Sequence, residues 1–564
     1  MIVLDDVGFG QLGCFGAPIA TPHIDRLADA GLRYNNFSVT AVCSATRACL
    51  LTGRNHHKVG MGALPNTPMN YPGYIGRLPR SAGTVARVLR DAGYNTMAVG
   101  KWHLTRQHEE TAAGPFDRWP LGMGFERFYG ILDGMTNQWT PELVHDNTVI
   151  EQPTTPQEGY HLTEDLATQA IRMVQDQQQA APDKPFFLYF ATAAGHSPHH
   201  VPASWVEPYR GTFDDGWEAT RRETFARQLN LGVVPAGTTL VERPPWVQPW
   251  EEISQDERRL YARMMEVFAG FLTHTDAQIG RIIDFLTTLD VLDNTIVMLL
   301  SDNGAGGDGG PRGMIDFADR DSDIAERIAK IDDLGGFKTF NNYPWAWAWA
   351  GNSPFKLFKK YTWLGGVRVP LIVRWPGGIP RAEHGHIRGQ FGHAVDLMPT
   401  ILDAVGISAP EILDGVTQDS IDGASLLPTL SSSTAVSPRT TQYYEMKGSR
   451  ALYHEGWKVT TNHVSNEAIE RALIPGSHDF DTDEWSLFHL DTDFAEAHDL
   501  ASVHPERHRQ LIELWWHEAG RNQVLPLLDH SSRQRYDAHP GIKKAARHYV
   551  YLPGGGPIFP PAFA

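Results

Sequence analysis

A chain of 564 residues, 41% hydrophobic and 20% charged, can bury a large core with a smaller unit beside it and lacks the composition of a disordered protein. Its formal net charge of -17 excludes nucleic acid as the main partner, since that binding rests on a broad basic surface. Three cysteines, Cys14, Cys43 and Cys49, cannot form a disulfide framework or a zinc site of the usual spacing, and no charge-free stretch is long enough to span a bilayer.

Met1-Ile2-Val3-Leu4 is an apolar run ending in adjacent carboxylates, Asp5 and Asp6, and reads as the second half of a buried strand. Cysteine usage and the lack of a basic region followed by an apolar one lead us to expect a cytoplasmic location; a targeting segment upstream of residue 1 would make it periplasmic or secreted. Thr21 to Gly31 reads as a helix, with Thr21 as N-cap, Pro22 at the first position and Gly31 as terminator. Cys43-Ser44-Ala45-Thr46-Arg47 opens an apolar helical run that Gly53 stops. Cys43 is therefore expected at a helix N-terminus with Arg47 one turn on, an arrangement that attracts anions.

A helix over about 84–91 feeds a strand, Asn95 to Val99, that ends in Gly100-Lys101-Trp102-His103. The pattern repeats with a helix from Thr163 to about Gln178 and a strand from Phe186 to Ala191 that runs out into Gly195-His196. A polar, Pro-rich region spans about 202–250, and a long amphipathic helix follows over about 256–289. The strand Thr295 to Leu300 then ends in Ser301-Asp302-Asn303-Gly304. Residues 304–310 read as a mobile Gly-rich loop, 316–335 as a solvated insertion, and Tyr343 to Trp349, with its alternating aromatics, as a buried extended segment. A strand over Val367 to Arg374 precedes a helix over His393 to Ala404.

From about residue 440 short alternating segments (451–454, 457–461, 485–490) and a helix over 505–519 indicate a small α+β appendage; no fold is assigned to Tyr549–Ala564. The expected architecture is α/β. A large, mostly parallel sheet with helices on both faces occupies 1–439, and an α+β unit with a short antiparallel sheet and an irregular tail occupies 440–564.

Four expected strands end in Asp5 and Asp6, Lys101 and His103, His196, and Asp302 and Asn303. If these strands run parallel, the groups meet at one rim, where ligands of open α/β sheets bind. Three carboxylates and an amide oxygen form a hard-oxygen set suited to Ca²⁺ or Mg²⁺, and adjacent Asp5 and Asp6 would repel each other without a cation.

Asp5-Asp6-x-Gly8, Cys43-x-Ala45-x-Arg47 with Leu51-Thr52-Gly53-Arg54, Gly100-Lys101-Trp102-His103, Ser301-Asp302-Asn303-Gly304, and Ser353-Pro354-Phe355-Lys356-Leu357-Phe358-Lys359 followed by Gly365-Gly366-Val367-Arg368 occur in the order found in type I sulfatases. The chain resembles this branch of the alkaline-phosphatase superfamily over most of residues 1–520, and bacterial arylsulfatases above all. The resemblance implies that a formylglycine-generating enzyme oxidises Cys43 to Cα-formylglycine. The hydrated aldehyde attacks the sulfur of a small sulfate-ester substrate and later expels sulfate. It implies one Ca²⁺ held by Asp5, Asp6, Asp302, Asn303 and residue 43.

By the same resemblance Arg47 holds the formylglycine diol, Lys101 and Lys359 neutralise sulfate oxygens, His196 with Lys359 protonates the leaving alcohol, and His103 assists as general base. Lys360 beside Lys359, and His199 and His200 beside His196, compete for these assignments. His199, His200 and His56-His57 read otherwise as packing or rim residues.

Two positions depart from the family pattern: Ala45 stands where the signature has proline, and Leu364 where glutamate is often found before the Gly-Gly pair. Beside sulfate-monoester hydrolysis, two readings stay open. One is a phosphonate-monoester or phosphodiester hydrolase on the same fold, the other a catalytically silent relative that keeps the Cys43 thiol.

Overall fold

A computed structural model describes residues 1–316, 322–465 and 467–529; the stretch 549–564 lies outside them. In chain order the strands are β1 (Ile2–Leu4), β2 (Leu32–Tyr34), β3 (Phe37–Ser38), β4 (Asn95–Lys101), β5 (Arg127–Ile131), β6 (Leu143–His145) and β7 (Thr148–Ile150). They continue as β8 (Phe186–Ala191), β9 (Val297–Ser301), β10 (Leu371–Arg374), β11 (Ile387–Arg388), β12 (Gly392–His393), β13 (Ile412–Leu413), β14 (Val416–Thr417), β15 (Thr441–Met446), β16 (Ser449–His454), β17 (Trp457–Thr461) and β18 (Trp485–His489).

Ten of them form one sheet in the order β11-β2-β10-β9-β1-β8-β4-β5-β6-β7. Its middle, β9-β1-β8-β4-β5, is parallel, with Ile2 opposite both Phe190 and Leu299. These strands are apolar along most of their length because both faces are covered. Alternation divides the core accordingly: Ile2, Leu4 and Leu299 pack into one apolar cluster, Val3, Met298 and Leu300 into the other. On the first face lie α1 (Pro22–Asp29) and two longer helices, Leu162–Ala180 and Gln255–Thr288. On the second lie α2 (Cys43–Thr52), α3 (Val85–Asp91) and the helix Leu397–Ala404.

The expected helices and central strands form near the expected bounds, and the differences have physical reasons. Thr21 does not cap α1; its hydroxyl donates to Asp25 and accepts from the Gly13 N–H, while Asp276 of the long helix accepts the His23 and Ile24 N–H groups at 3.1 and 2.8 Å. The strand expected from Val367 starts at Leu371, because Leu364–Val367 form a helical turn, and it pairs antiparallel with β9. The aromatic alternation is helical rather than extended: Trp345–Gly351 form a short helix buried on every side, which hides its period.

That burial requires a partner, and the Pro-rich region supplies it as the helix Gly216–Leu231. Its Arg221 is fully buried, donates to the carbonyls of Trp349, Pro354 and Phe355, and stacks 4.4 Å from the centroid of the Trp349 ring.

β15 to β18 form a separate antiparallel sheet covered by the helix Pro505–Arg521 through Leu511 and Trp515. This sheet is docked behind α2 by a buried pair, His57 Nε2 to Glu445 Oε2 at 2.8 Å. No described helix is long and apolar enough to cross a membrane.

Trp347 is fully buried, packs edge to face on Phe213, Trp217 and Trp250, and donates its indole N–H to the Tyr261 carbonyl. Trp347→Ala should therefore cost about 3–5 kcal/mol of stability, read as a lower denaturation midpoint.

Candidate active site

The four strands that carry the expected groups are consecutive and parallel in the order β9-β1-β8-β4, so their carboxyl ends share one rim. Asp5 and Asp6 leave β1, Asp302 and Asn303 leave β9, Lys101 ends β4, and His196 follows β8. The backbone tightens there: Asp6 and His103 take left-handed φ of 60° and 55°, uncommon for residues with a Cβ and concentrated at functional sites. Gly195, at φ 103°, passes so close to β1 that a Cβ would lie 2.0 Å from the Asp5 carbonyl oxygen.

Cys43 is the first residue of α2, after an extended Val42, and Gly53 ends the helix at φ 64°. Its Sγ lies 3.2 Å from His103 Nδ1. One turn on, Arg47 donates Nε and Nη2 to Asp302 Oδ2 at 3.1 and 2.6 Å and Nη1 to the Lys101 carbonyl at 2.9 Å. Lys101 Nζ donates to Asp5 Oδ2 at 2.6 Å. Across the pocket Lys359 Nζ lies 2.9 Å from Asp6 Oδ2 and 3.0 Å from Asp308 Oδ2, and His196 Nε2 is 3.8 Å from Asp6 Oδ2. All ten expected residues thus converge, Cys43, Arg47, Lys101, His103, His196 and Lys359 beside Asp5, Asp6, Asp302 and Asn303.

The competitors separate. His199 packs between Phe268 and Tyr343, and His200 lies against the Thr339 carbonyl. Lys360, at φ 82°, turns its ammonium to Asp308, Glu467 and Glu470. His56 and His57 are buried against Glu445, behind α2.

Burial dominates the electrostatics. It opposes the charge of Asp5, yet Lys101, His196 and Arg47 outweigh it and hold that carboxyl well below the usual range. Burial and the Asp5 charge push Asp302 up to about 7 despite Arg47. Burial pushes the Cys43 thiol up to about 11 against the pull of Lys101 and Lys359. Burial lowers His103 well below its ordinary value, with Lys101 and Arg47 adding to it, and lowers His196 with help from Lys359. Both imidazoles are therefore neutral near pH 7 and able to take a proton.

The arrangement fits a hard divalent cation. Asp5 Oδ1 and Asn303 Oδ1 are buried with no hydrogen-bond donor among the described residues, and Asp5, Cys43 and Asp302 can bring one ligand atom each to within 4.8 Å of one another. Carboxylate and amide oxygens are the donors Ca²⁺ and Mg²⁺ prefer.

Asp308 escaped the sequence reading because its Gly-rich stretch reads as a loose loop. That stretch is packed: a Cβ on Gly306 would lie 2.5 Å from Asp6 Oδ2. The legible signal was a lone carboxylate six residues beyond Asp302. Leu364, also buried, donates its N–H to Glu496 Oε2 at 2.9 Å, so a carboxylate reaches this turn from after β18.

An open, mostly parallel sheet with lysines, an arginine, two histidines and a carboxylate set that could hold a cation at its carboxyl edge defines an ester hydrolase for tetrahedral oxyanions. The sulfatase family model matches residues 1–407, and the chain belongs to that family. A second model, N-sulphoglucosamine sulphohydrolase C-terminal, matches 355–517.

An uncharacterised sulfatase of Schizosaccharomyces pombe is 29% identical, over 91% of this chain and 92% of its own. An arylsulfatase of Klebsiella aerogenes is 27% identical, over 72% of this chain and 86% of its own. Among solved structures, the phosphonate monoester hydrolase of Agrobacterium radiobacter shares the fold, with a TM-score of 0.54, 19% identity, and coverage of 92% of this chain and 95% of its own.

Arg47→Met leaves Asp302 Oδ2 buried without the two hydrogen bonds Arg47 gives it. It should cost about 3–5 kcal/mol, measured as a fall in denaturation midpoint in metal-free buffer.

Proposed function

We propose that this chain hydrolyses sulfate monoesters, arylsulfatase-like, with residue 43 as nucleophile after conversion to Cα-formylglycine. The observation that carries the reading is Cys43 at the start of α2, 3.2 Å from His103 and among the cations Arg47, Lys101 and Lys359.

Asp5, Asp6, Asp302 and Asn303 would hold a Ca²⁺, which supplies Lewis-acid polarisation of the ester oxygens. The aldehyde of formylglycine, once hydrated, supplies an oxygen nucleophile and an exit for sulfate by collapse back to the carbonyl. Arg47 orients residue 43 from one turn along the same helix. Lys101 and Lys359 balance the charge that builds on sulfate oxygens, in a site dry enough for each to count. His103, neutral and within reach of the residue 43 side chain, accepts its proton. On the Asp6 side the Lys359 ammonium supplies the proton for the leaving alcohol, with the neutral His196 imidazole relaying it.

Ala45 is compatible with this reading. It is the third residue of α2, where a backbone N–H makes no intrahelical bond, so neither alanine nor the family's proline costs the helix a hydrogen bond. Its effect would lie in recognition of the chain by the maturation enzyme.

Mass spectrometry of the Cys43 peptide after co-expression with a formylglycine-generating enzyme should show the aldehyde, and such protein should turn over 4-nitrophenyl sulfate faster than matched phosphate or phosphonate esters. A retained thiol would favour the silent reading, and a reversed preference the phosphonate or phosphodiester one. His196→Ala should lower kcat/KM by about 10²–10⁴ on an alkyl sulfate and less on 4-nitrophenyl sulfate, whose leaving group needs little protonation. Added Ca²⁺ should raise the denaturation midpoint of the parent chain and leave that of Asp302→Ala unchanged.

A further inference from the structure

A second cavity lies outside the catalytic pocket, where the segment 241–246, the stretch from Lys356 to Trp363 and the turn after β17 come together. Its volume is about 290 Å³, and Trp246, Trp349, Tyr361 and Trp363 form its aromatic walls. Phe358 separates it from the catalytic side: Trp246 meets that ring edge to face at 5.6 Å, and Gly307 lies against the same ring.

The polar groups of the cavity are unevenly committed. Tyr361 donates its hydroxyl to Glu470 Oε2 at 2.8 Å, Trp363 its indole N–H to the Thr461 carbonyl at 3.2 Å, and His463 is engaged with Asp483 at 2.9 Å. Two donors are left over. The Trp349 indole N–H is buried and has no acceptor among the described residues. The Lys356 ammonium stands over the rings of Trp363 and Phe488, 5.0 and 5.2 Å from their centroids, and no described carboxylate lies within 4.0 Å of it. Neighbouring carboxylates are engaged elsewhere, Glu496 with Lys458 and the Leu364 N–H, and Asp493 with the N–H groups of Ala497 and His498.

Aromatic walls alone would suit a cation. Here the Trp363 face already carries Lys356 and the Trp349 face carries the Arg221 guanidinium, so a second cation would meet repulsion. Among the described residues the one carboxylate lining the cavity, Glu242, is exposed and screened by water, whereas Lys356 is partly buried and acts at lower dielectric. A cavity of about 150 Å³ takes benzene, so this volume admits two fused rings and an anionic group.

We propose that this cavity is a binding site for a one- or two-ring aryl carboxylate, its ring between the tryptophans and its carboxylate on Lys356 and the Trp349 N–H. The site is separate from the catalytic pocket and does not depend on the state of residue 43.

Isothermal titration of the full chain with 2-naphthoate, in saturating inorganic sulfate to fill the catalytic pocket, tests it. One molecule should bind per chain. Lys356→Met, which keeps the length of the side chain and removes its charge, should weaken binding at least tenfold. Val241→Trp, which fills the cavity from its half-buried rim, should abolish it. Circular dichroism and the denaturation midpoint establish that each variant is folded, and either one suffices. Absence of saturable binding, binding that sulfate displaces, binding unchanged in a folded variant, or preferential binding of tetramethylammonium would each overturn the proposal.

Discussion

Charge compensation at the carboxyl edge of the parallel sheet is the constraint on which the rest of this structure depends. Asp5, Asp6 and Asp302 are held away from water at one rim, with ligand oxygens of Asp5 and Asp302 within 4.8 Å of each other, a configuration that is costly unless each charge is matched. The fold matches them with one cation from each of three directions: Arg47 from α2, Lys101 from the end of β4, and Lys359 from the segment before Leu364. Hydrogen bonding is incomplete, since Asp5 Oδ1 and Asn303 Oδ1 find no donor among the described residues. Buried oxygens left without donors beside carboxylates are what a hard divalent cation requires of its site.

The same constraint ties the remoter parts of the chain to the pocket. Asp308 bridges Lys359 and Lys360, Lys360 reaches Glu467 and Glu470, and Glu467 in turn holds Lys447 at the turn between β15 and β16. Alternating charges thus run from Asp6 to the C-terminal sheet. On the other side His57 and Glu445 clamp that sheet against the loop after α2. The second sheet is therefore a support for the loops that aim the lysines, and its own small core lets it keep its shape while doing so.

Much of this was legible in the residues. Continuous apolar runs at Phe186–Ala191 and Val297–Ser301 announced strands buried on both faces, and Cys43 to Gly53 announced a helix with a defined start and stop. The amphipathic periods of the helices Leu162–Ala180 and Gln255–Thr288 were equally plain. Legibility failed where burial is complete or where the partner is distant. Trp345–Gly351 has no polar face, so its aromatics suggested a two-residue period that the helix does not have. Asp276 replaces Thr21 as the cap of α1 from about 250 positions away, a distance no local rule spans.

By itself the sequence determined the central strands and the amphipathic helices, the set of hard oxygen donors, the cysteine at a helix start and the motif order that places the chain among sulfatases. The elements, donors and cysteine rest on local periodicity or on short-range spacing, and the motif order on resemblance to a known family. Tertiary structure alone decided which of neighbouring candidates enters the pocket. Lys359 and Lys360 are adjacent, yet the left-handed φ of Lys360 turns its ammonium to Glu467 and Glu470 while Lys359 meets Asp6. His196 lies over Asp6, whereas His199 and His200 point into packed regions beyond it. Only the parallel order β9-β1-β8-β4 makes four separate strand ends one site, because strand direction and neighbour order are set by long-range pairing that no single stretch of chain contains.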